Sequence, residues 1–476
     1  MLGPTVLLTL ATLAGLVAGF AREWLLIADW GSGARSDAFL IAMFLPEAVR
    51  MAMANGLLGG AALPLYQQRD PAQRAAWLQA QTLNIGLLGV ALTVLLLLGA
   101  PLFTRLIGPG LTPASQHQAT VTLRMLAWTM PGICLQSLWS VPLQAESRFV
   151  RAGLGSLLYN LPAVLVLLLH RHAVDENELG HAFIFGSVLM STLLLPALWR
   201  HGWRPWHLRF DRTAAGELYR RLLPLLASSG ASQGLALVER ICASLLGPGA
   251  VTVLNLARKL VNLPLIALMS LNQVLLSLLG GASEHRRRLD LLRRGLAMST
   301  LLTLPAAVLM IGAAPTLVAT LLPHGLAHGP LPGLLAWFAG VIVFGSWNAM
   351  LARYGYAAGD TRTPMRCELA GSVLNVLALL ALPRWLGLPG IALAALLGVV
   401  LTGALLLRAF RLFEGVRLPQ QWLVSTALLL GSALMLYPLG QRPWLQGGLA
   451  LVAGLLAFIA FAAWLKPWRS TPHASP

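Results

Sequence analysis

Long apolar runs dominate this chain and recur too regularly for a water-soluble fold. They fall around 2–27, 38–66, 78–103, 121–143, 152–169, 181–199, 222–246, 250–281, 295–322, 332–352, 365–383, 387–407, 422–439 and 445–465. Each is long enough to cross a hydrocarbon core of about 30 Å as a helix, the only open-ended element that satisfies its own backbone in lipid. The pattern predicts an all-α polytopic membrane protein with about 14 transmembrane helices. The loops between the runs are short, which leaves no room for a separate extramembrane catalytic domain.

Composition agrees with that reading. The chain is 57% hydrophobic and 11% charged, where soluble domains are typically about a quarter charged. Its net charge of +17 would point to nucleic acid in a soluble protein, but the distribution points to topology. With the N-terminus inside, 23 of the 34 basic residues fall in inner loops and the tail, among them Arg200–Arg221, Arg286–Arg294 and Arg353–Arg366; five fall outside. That asymmetry places both termini in the cytoplasm, by the positive-inside rule, and needs no nucleic-acid partner. The first run lacks a basic leader and a small-residue cleavage site, so it reads as a retained helix. Cys134, Cys242 and Cys367 lie in apolar runs without metal-ligand spacing, and no cofactor is implied.

Five cations are stranded inside the apolar runs: Arg22, Arg50, Arg240, Arg258 and Lys259. A charge at bilayer depth costs about 2.5–3.5 kcal/mol even on the more lenient scales, so such residues face a cavity or a partner. Carboxylates at similar depth are Glu23, Glu47 and Glu239. Two readings follow: a cationic cavity that receives an anion, or intramembrane pairs such as Arg22 with Glu23 and Glu239 with Arg240 that only fix packing. At 1.5 Å per residue, Arg22 lies about 13 Å in from Gly31 at the outer end of its helix. Arg240, Arg258 and Lys259 stand at similar depth relative to Gly249, and Arg50 lies about 20 Å from Asp37. Pro46 and Pro264 sit inside the second and eighth predicted helices, where each removes a backbone hydrogen bond and favours a kink.

The chain also matches itself. A shift of 218 residues superimposes Arg22 on Arg240, Gly31 on Gly249 and Pro46 on Pro264; a shift of 215 superimposes Arg151 on Arg366 and Asn160 on Asn375. The registers pair helices 1 and 2 with 7 and 8, and helix 5 with 11, as two six-helix halves, 1–6 and 7–12, would give. The expected organisation is an N-lobe over 1–205, a C-lobe over 206–410, and helices 13 and 14 with the tail over 411–476. Arg200–Arg221 would be the inter-lobe linker. Parallel six-helix repeats are a mark of secondary transporters, whose substrate site lies near midplane at the repeat interface.

The stretch Gly19-Phe20-Ala21-Arg22-Glu23, with Gly31-Ser32-Gly33, Ser36-Asp37-Ala38-Phe39, Pro46, Arg50, Asn55-Gly56 and Pro64, resembles the opening of the MurJ/MviN family. Ala257-Arg258-Lys259 with Asn262 and Pro264, and Gly359-Asp360-Thr361-Arg362-Thr363-Pro364, extend the resemblance over essentially the whole chain. Those proteins are lipid II flippases of the multidrug/oligosaccharidyl-lipid/polysaccharide exporter superfamily. The resemblance implies two bundles around a cationic cavity that carries a polyprenyl-pyrophosphate-linked oligosaccharide across the bacterial inner membrane by alternating access. It assigns substrate binding to Arg22 and Arg50, and to Lys259 or Arg258, depending on a one-residue register. Asp37 matches the family's helix 1–2 aspartate and, at the outer mouth of the second helix, reads as a gate residue; the resemblance gives helices 13 and 14 a groove for the polyprenyl tail. It also suggests Na⁺ held by Glu239 and Asn375, against a structural pair of Glu239 with Arg258 or Lys259; the membrane potential is a third energy source. Asp37 has a second reading, as a cap on the first amides of its own helix. The sequence departs from the family at Leu16 (usually arginine), Asn55 (commonly glutamate) and Arg258 (usually aspartate), and Lys259 cannot make an arginine's bidentate phosphate contact.

The expected substrate is therefore lipid II or an exopolysaccharide repeat unit on the same carrier, with membrane lipid and cell-wall or polysaccharide assembly proteins as partners. Competing readings are a drug or ion-coupled exporter of the superfamily and a membrane glycosyltransferase or ligase. A cation-lined cavity repels cationic drugs. The outer loops offer only Asp175, Glu176, Glu178, His324 and His328, with no paired catalytic spacing, so the chain is not expected to be an enzyme.

Overall fold

The computed structural model describes residues 2–54, 57–146, 153–170, 174–262, 285–322, 329–412, 425–431 and 443–465. Among these every regular element is helical. Seven helices are long and apolar enough to cross a membrane: Pro71–Ile107, Glu176–Arg200, Arg286–Thr320, Leu331–Ala357, Arg362–Ala381, Leu388–Ala409 and Trp444–Leu465. Pro264, His324, His328 and the Arg151 member of one repeat match lie outside the described residues.

The chain divides into two compact units, Met1–Thr252 and Val253–Pro476. This division by contact differs from the repeat-based boundary at 205/206, because the Arg212–Ser244 helix packs on Leu57–Gln67 and Pro71–Ile107 within the first unit. The stretch Arg200–Arg221, expected as the inter-lobe linker, lies within the first unit. A single turn at Pro205–His207 precedes a helix that begins at Arg212. Asp211 starts it, accepting from the amides of Thr213 at 2.9 Å and Ala214 at 3.0 Å. Such N-terminal amides have no partner inside the helix, so a side-chain cap sets the boundary.

Several polar residues of the first unit hold that connection. Trp139 and Trp203 both donate to the Thr82 hydroxyl at 3.1 Å. Gln81 donates to the Ala214 carbonyl at 2.7 Å, and Arg69 pairs with Glu217 at 2.7 Å. Buried polar groups need such partners in any low-dielectric interior. The Ala34–Ala54 helix runs without interruption through Pro46. The run expected over 38–66 is two helices, Ala34–Ala54 and Leu57–Gln67.

In the second unit the Pro443–Leu465 helix packs on His285–Leu321, and Arg362–Ala381 on Leu388–Ala409. Small residues permit the closest approaches, as is usual between helices in lipid. A Cβ on Gly312 would stand 2.7 Å from that of Ala450, and one on Gly371 would stand 2.6 Å from the Gly398 carbonyl oxygen.

The 218-residue register has a backbone counterpart. Gly31 and Gly249, which it superimposes, both hold left-handed conformations, with φ of 71° and 88°. Each follows one long helix and precedes another, where a residue with a Cβ would be strained.

Candidate functional site

The Gly155–Leu169 helix organises the polar centre of the first unit. It presents Ser156, Tyr159 and Asn160 at i, i+3 and i+4, hence on one face. Arg22 donates through Nη1 to Asn160 Oδ1 at 2.6 Å and through Nη2 to Glu23 Oε1 at 2.9 Å. Asn160 is itself oriented, donating through Nδ2 to the Ser156 carbonyl at 2.7 Å. Arg50 donates to Ser156 Oγ at 3.2 Å and grips Glu47 with Nη2 at 2.6 Å and Nε at 2.9 Å. Arg22 and Arg50, expected as a substrate-binding pair, therefore share one helix face.

Aromatic rings complete the setting. The Arg22 guanidinium lies 5.2 Å from the Phe183 ring centre, and that of Arg50 lies 5.1 Å from Tyr159. Those rings pack on each other with centroids 5.3 Å apart. Each cation thus meets a carboxylate, a neutral polar group and a ring face, all of which attract a guanidinium inside a low-dielectric interior. Arg22 and Asn160 are each 1% exposed and Arg50 is 9% exposed. The pairs are not fully satisfied, because the buried Nε of Arg22 has no acceptor. Charge-assisted bonds of this kind contribute about 1.5–3 kcal/mol each, so the geometry is strongly held.

Arg240 belongs to the first unit as well. It donates to the Leu40 carbonyl at 2.9 Å and lies 4.7 Å from the Phe44 ring centre. The carboxylate of Asp37 accepts from the amides of Gly249 at 2.7 Å and Thr252 at 2.8 Å, and from the Thr252 hydroxyl at 2.5 Å. Asp37 is thus a cap, but on the helix that starts at residue 250 and not on its own. Negative charge at a helix N-terminus is stabilising, since the amide dipoles converge there. A Cβ on Gly249 would stand 3.1 Å from the Ser32 carbonyl oxygen, so this position admits glycine on steric grounds also.

The remaining expected site residues fall in both units. Glu239 is buried on the Arg212–Ser244 helix in the first unit. In the second unit Arg258 and Lys259 are half-buried on the helix over 250–262, and the Arg258 guanidinium stands 4.3 Å from the Phe338 ring centre. Asn375 is buried on Arg362–Ala381, and its Oδ1 has no hydrogen-bond partner. Among the described residues no three His, Cys, Asp or Glu side chains gather as a metal site would require. Sequence reasoning assigned no role to Ser156, Tyr159, Asn160 or Phe183. Only Asn160 left a signal, its match with Asn375.

Residues 28–451 match the family model for lipid II flippase MurJ. The chain belongs to the MurJ family. The "Lipid II flippase MurJ" of Burkholderia cenocepacia is 27% identical over 452 residues, covering 89% of this chain and 86% of its own length. The "Probable lipid II flippase MurJ" of Rhizobium tropici is 27% identical over 496 residues, covering 95% and 91%. Among solved structures, a lipid II flippase MurJ in an inward closed conformation superimposes with a TM-score of 0.82 at 19% identity, covering 97% of this chain and 99% of that one. An inward-facing multidrug-resistance MATE transporter reaches 0.67 at 17% identity, covering 85% and 96%. The MurJ fold thus extends over nearly the whole chain, which is an integral bacterial membrane protein.

Proposed function

We propose that the chain is a flippase that moves a polyprenyl-pyrophosphate-linked oligosaccharide from the inner to the outer leaflet by alternating access, through a full complement of about 14 helices with both termini cytoplasmic. The observation that carries this reading is the joint seating of Arg22 and Arg50 on Ser156 and Asn160. A pyrophosphate leaves water only where fixed cations replace its hydration. In the reading, its oxygens take over the guanidinium faces that Glu23 and Glu47 now occupy, and the open Nε of Arg22 supplies a further donor. The lipid II names of the relatives favour lipid II over an exopolysaccharide unit. They also favour transport over catalysis, and the Arg22 and Arg50 guanidiniums disfavour a cationic drug.

Asp37 serves as the outer latch: the pathway opens outward only after its bonds to Gly249 and Thr252 part. Helices 13 and 14 flank the polyprenyl tail in this scheme; the proposed lipid-facing stretch Leu428–Leu436 lies partly outside the described residues. The return step is driven by the membrane potential, since a cationic site moving inward runs down the field. The unpartnered Oδ1 of Asn375 supports the accompanying reading, in which this oxygen helps to hold a Na⁺ ion.

Complementation tests the function. The chain should restore growth to a strain depleted of its lipid II flippase, and its Arg22→Ala and Arg50→Ala variants should not, at equal membrane levels. Failure of the wild type to complement, with restored polymer in an exopolysaccharide-flippase mutant, would transfer the function to that substrate.

A further inference from the structure

At one end of the second unit three helices are pinned together. The Tyr354 ring, near the end of Leu331–Ala357, packs edge-on against Phe410 at 5.6 Å. A Cβ on Gly355 would meet Phe410 Cζ at 2.6 Å and Pro364 Cγ at 2.8 Å. Asp360 caps the next helix, accepting from the amides of Arg362 at 3.1 Å and Thr363 at 3.0 Å. These helix ends carry Arg353, Arg362, Arg366, Arg408 and Arg411, with only Asp360 and Glu368 as acids.

Arg353 stands apart within this group. The other four arginines are exposed, whereas Arg353 is half-buried and its Nη1 is a buried donor without an acceptor. Beside it Tyr356 is exposed and lies within electrostatic range of both Arg353 and Glu368. Met365 and Leu369, on the membrane-crossing helix that follows, are exposed apolar side chains. These helix ends therefore carry a half-buried guanidinium with an open donor, four exposed ones and two exposed apolar side chains.

We infer that this corner binds the phosphate of an anionic phospholipid of the inner leaflet, with the half-buried Arg353 as the anchor. A guanidinium offers a planar fork that matches phosphate oxygens, and a buried donor gains most from an ionised acceptor. The exposed arginines attract the same leaflet by their summed field. Met365 and Leu369 provide the apolar wall that acyl chains would cover, which a water-soluble anion or an aqueous protein partner would leave bare. The leaflet assignment rests on the inward orientation proposed above; the phosphate site itself does not.

Native mass spectrometry of the full-length protein in detergent, titrated with phosphatidylglycerol or phosphatidylcholine, separates these points. Wild type should retain phosphatidylglycerol preferentially, and Arg353→Gln should weaken that retention about tenfold. Arg353→Lys should recover part of it, because the charge survives without the fork. Arg209→Gln, an equal loss of charge on the exposed connection before Arg212, should change nothing. Equal losses in both glutamine variants would reduce the effect to general charge and overturn the site. Displacement of the lipid by equimolar inorganic phosphate would overturn the lipid as occupant. The leaflet is read separately, from labelling of Met365→Cys by an impermeant thiol reagent in intact cells: protection supports the inner leaflet, and labelling refutes that part alone.

Discussion

Asn160 and Asn375 occupy matching positions in the 215-residue register, and both are buried, at 1% and 5% exposure. Their surroundings differ. Asn160 accepts from Arg22 and donates to Ser156, so the carboxamide is used at both ends. Asn375 leaves its oxygen unpartnered on a helix whose neighbour approaches so closely that a Cβ on Gly398 would stand 2.8 Å from Asn375 Cβ. A repeated residue has thus kept its burial and changed its chemistry. In the first unit it orients a cation; in the second it offers a bare oxygen, which suits a ligand that is itself positive or a donor. Sequence symmetry indicates where polar groups are buried, whereas the neighbours decide what each can hold.

The sharpest way to break the comparison is to remove the cations. Arg22→Ala or Arg50→Ala should abolish transport. Arg22→Ala also takes a charge-assisted bond from the buried Glu23, and Arg50→Ala takes two from the half-buried Glu47, about 1.5–3 kcal/mol each. The double variant Arg22→Gln with Glu23→Gln removes the pair as a unit and should insert normally yet remain inactive in a vesicle flipping assay. Transport by that double variant would reduce the Arg22–Glu23 pair to packing.

The asparagines themselves come next. Asn160→Ala deletes a bond to a charged donor and should lower thermal stability in detergent by about 1.5–3 kcal/mol. Asn375→Ala removes no hydrogen bond to Oδ1 and should cost under about 1 kcal/mol without sodium. If sodium stabilises the wild type but not Asn375→Ala, the ion reading gains a ligand; a sodium-independent wild type removes it. Asp37→Asn keeps acceptor capacity but loses charge at the amides of Gly249 and Thr252, about 1 kcal/mol. A latch predicts faster labelling of a cysteine placed at Ser244 by an impermeant reagent in this variant, and unchanged labelling favours a cap alone.

The smallest effect concerns the connection into the Arg212–Ser244 helix. The Thr213 hydroxyl, followed by the Ala214 and Thr213 amides, holds the exposed Asp211 carboxyl below its ordinary range. A depressed carboxyl stabilises the fold above its unfolded pKa, and that contribution fades as pH falls through the folded one. Asp211→Ala should therefore cost about 0.5–1 kcal/mol near neutrality. The gap between variant and wild-type melting temperatures should close in strong acid.

Much of this was legible before any coordinates. Hydropathy found the helical membrane class, because a spanning backbone must satisfy itself in lipid. Depth counting singled out Arg22 and Arg50, and the Arg22–Glu23 pair was among the alternatives. The Arg212 helix start was readable but missed, since Asp211 followed by Arg-Thr-Ala is a capping pattern that the basic composition of the stretch obscured. Asn160, Tyr159 and Phe183 were not legible as a site, because they reach Arg22 and Arg50 from distant helices and local spacing carries no trace of that. The same holds for Asp37: its position suggested a cap, but only tertiary packing selects the helix that begins at residue 250.

The central claim is that Arg22 and Arg50, seated on the Gly155–Leu169 helix, bind the pyrophosphate. Its most direct test is equilibrium binding of a polyprenyl-pyrophosphate-linked sugar and its monophosphate analogue to purified wild type, Arg22→Gln and Arg50→Gln. The account predicts that wild type prefers the pyrophosphate and that each variant weakens its binding by about tenfold or more while erasing that preference. Unchanged affinity and unchanged preference in both variants would contradict it.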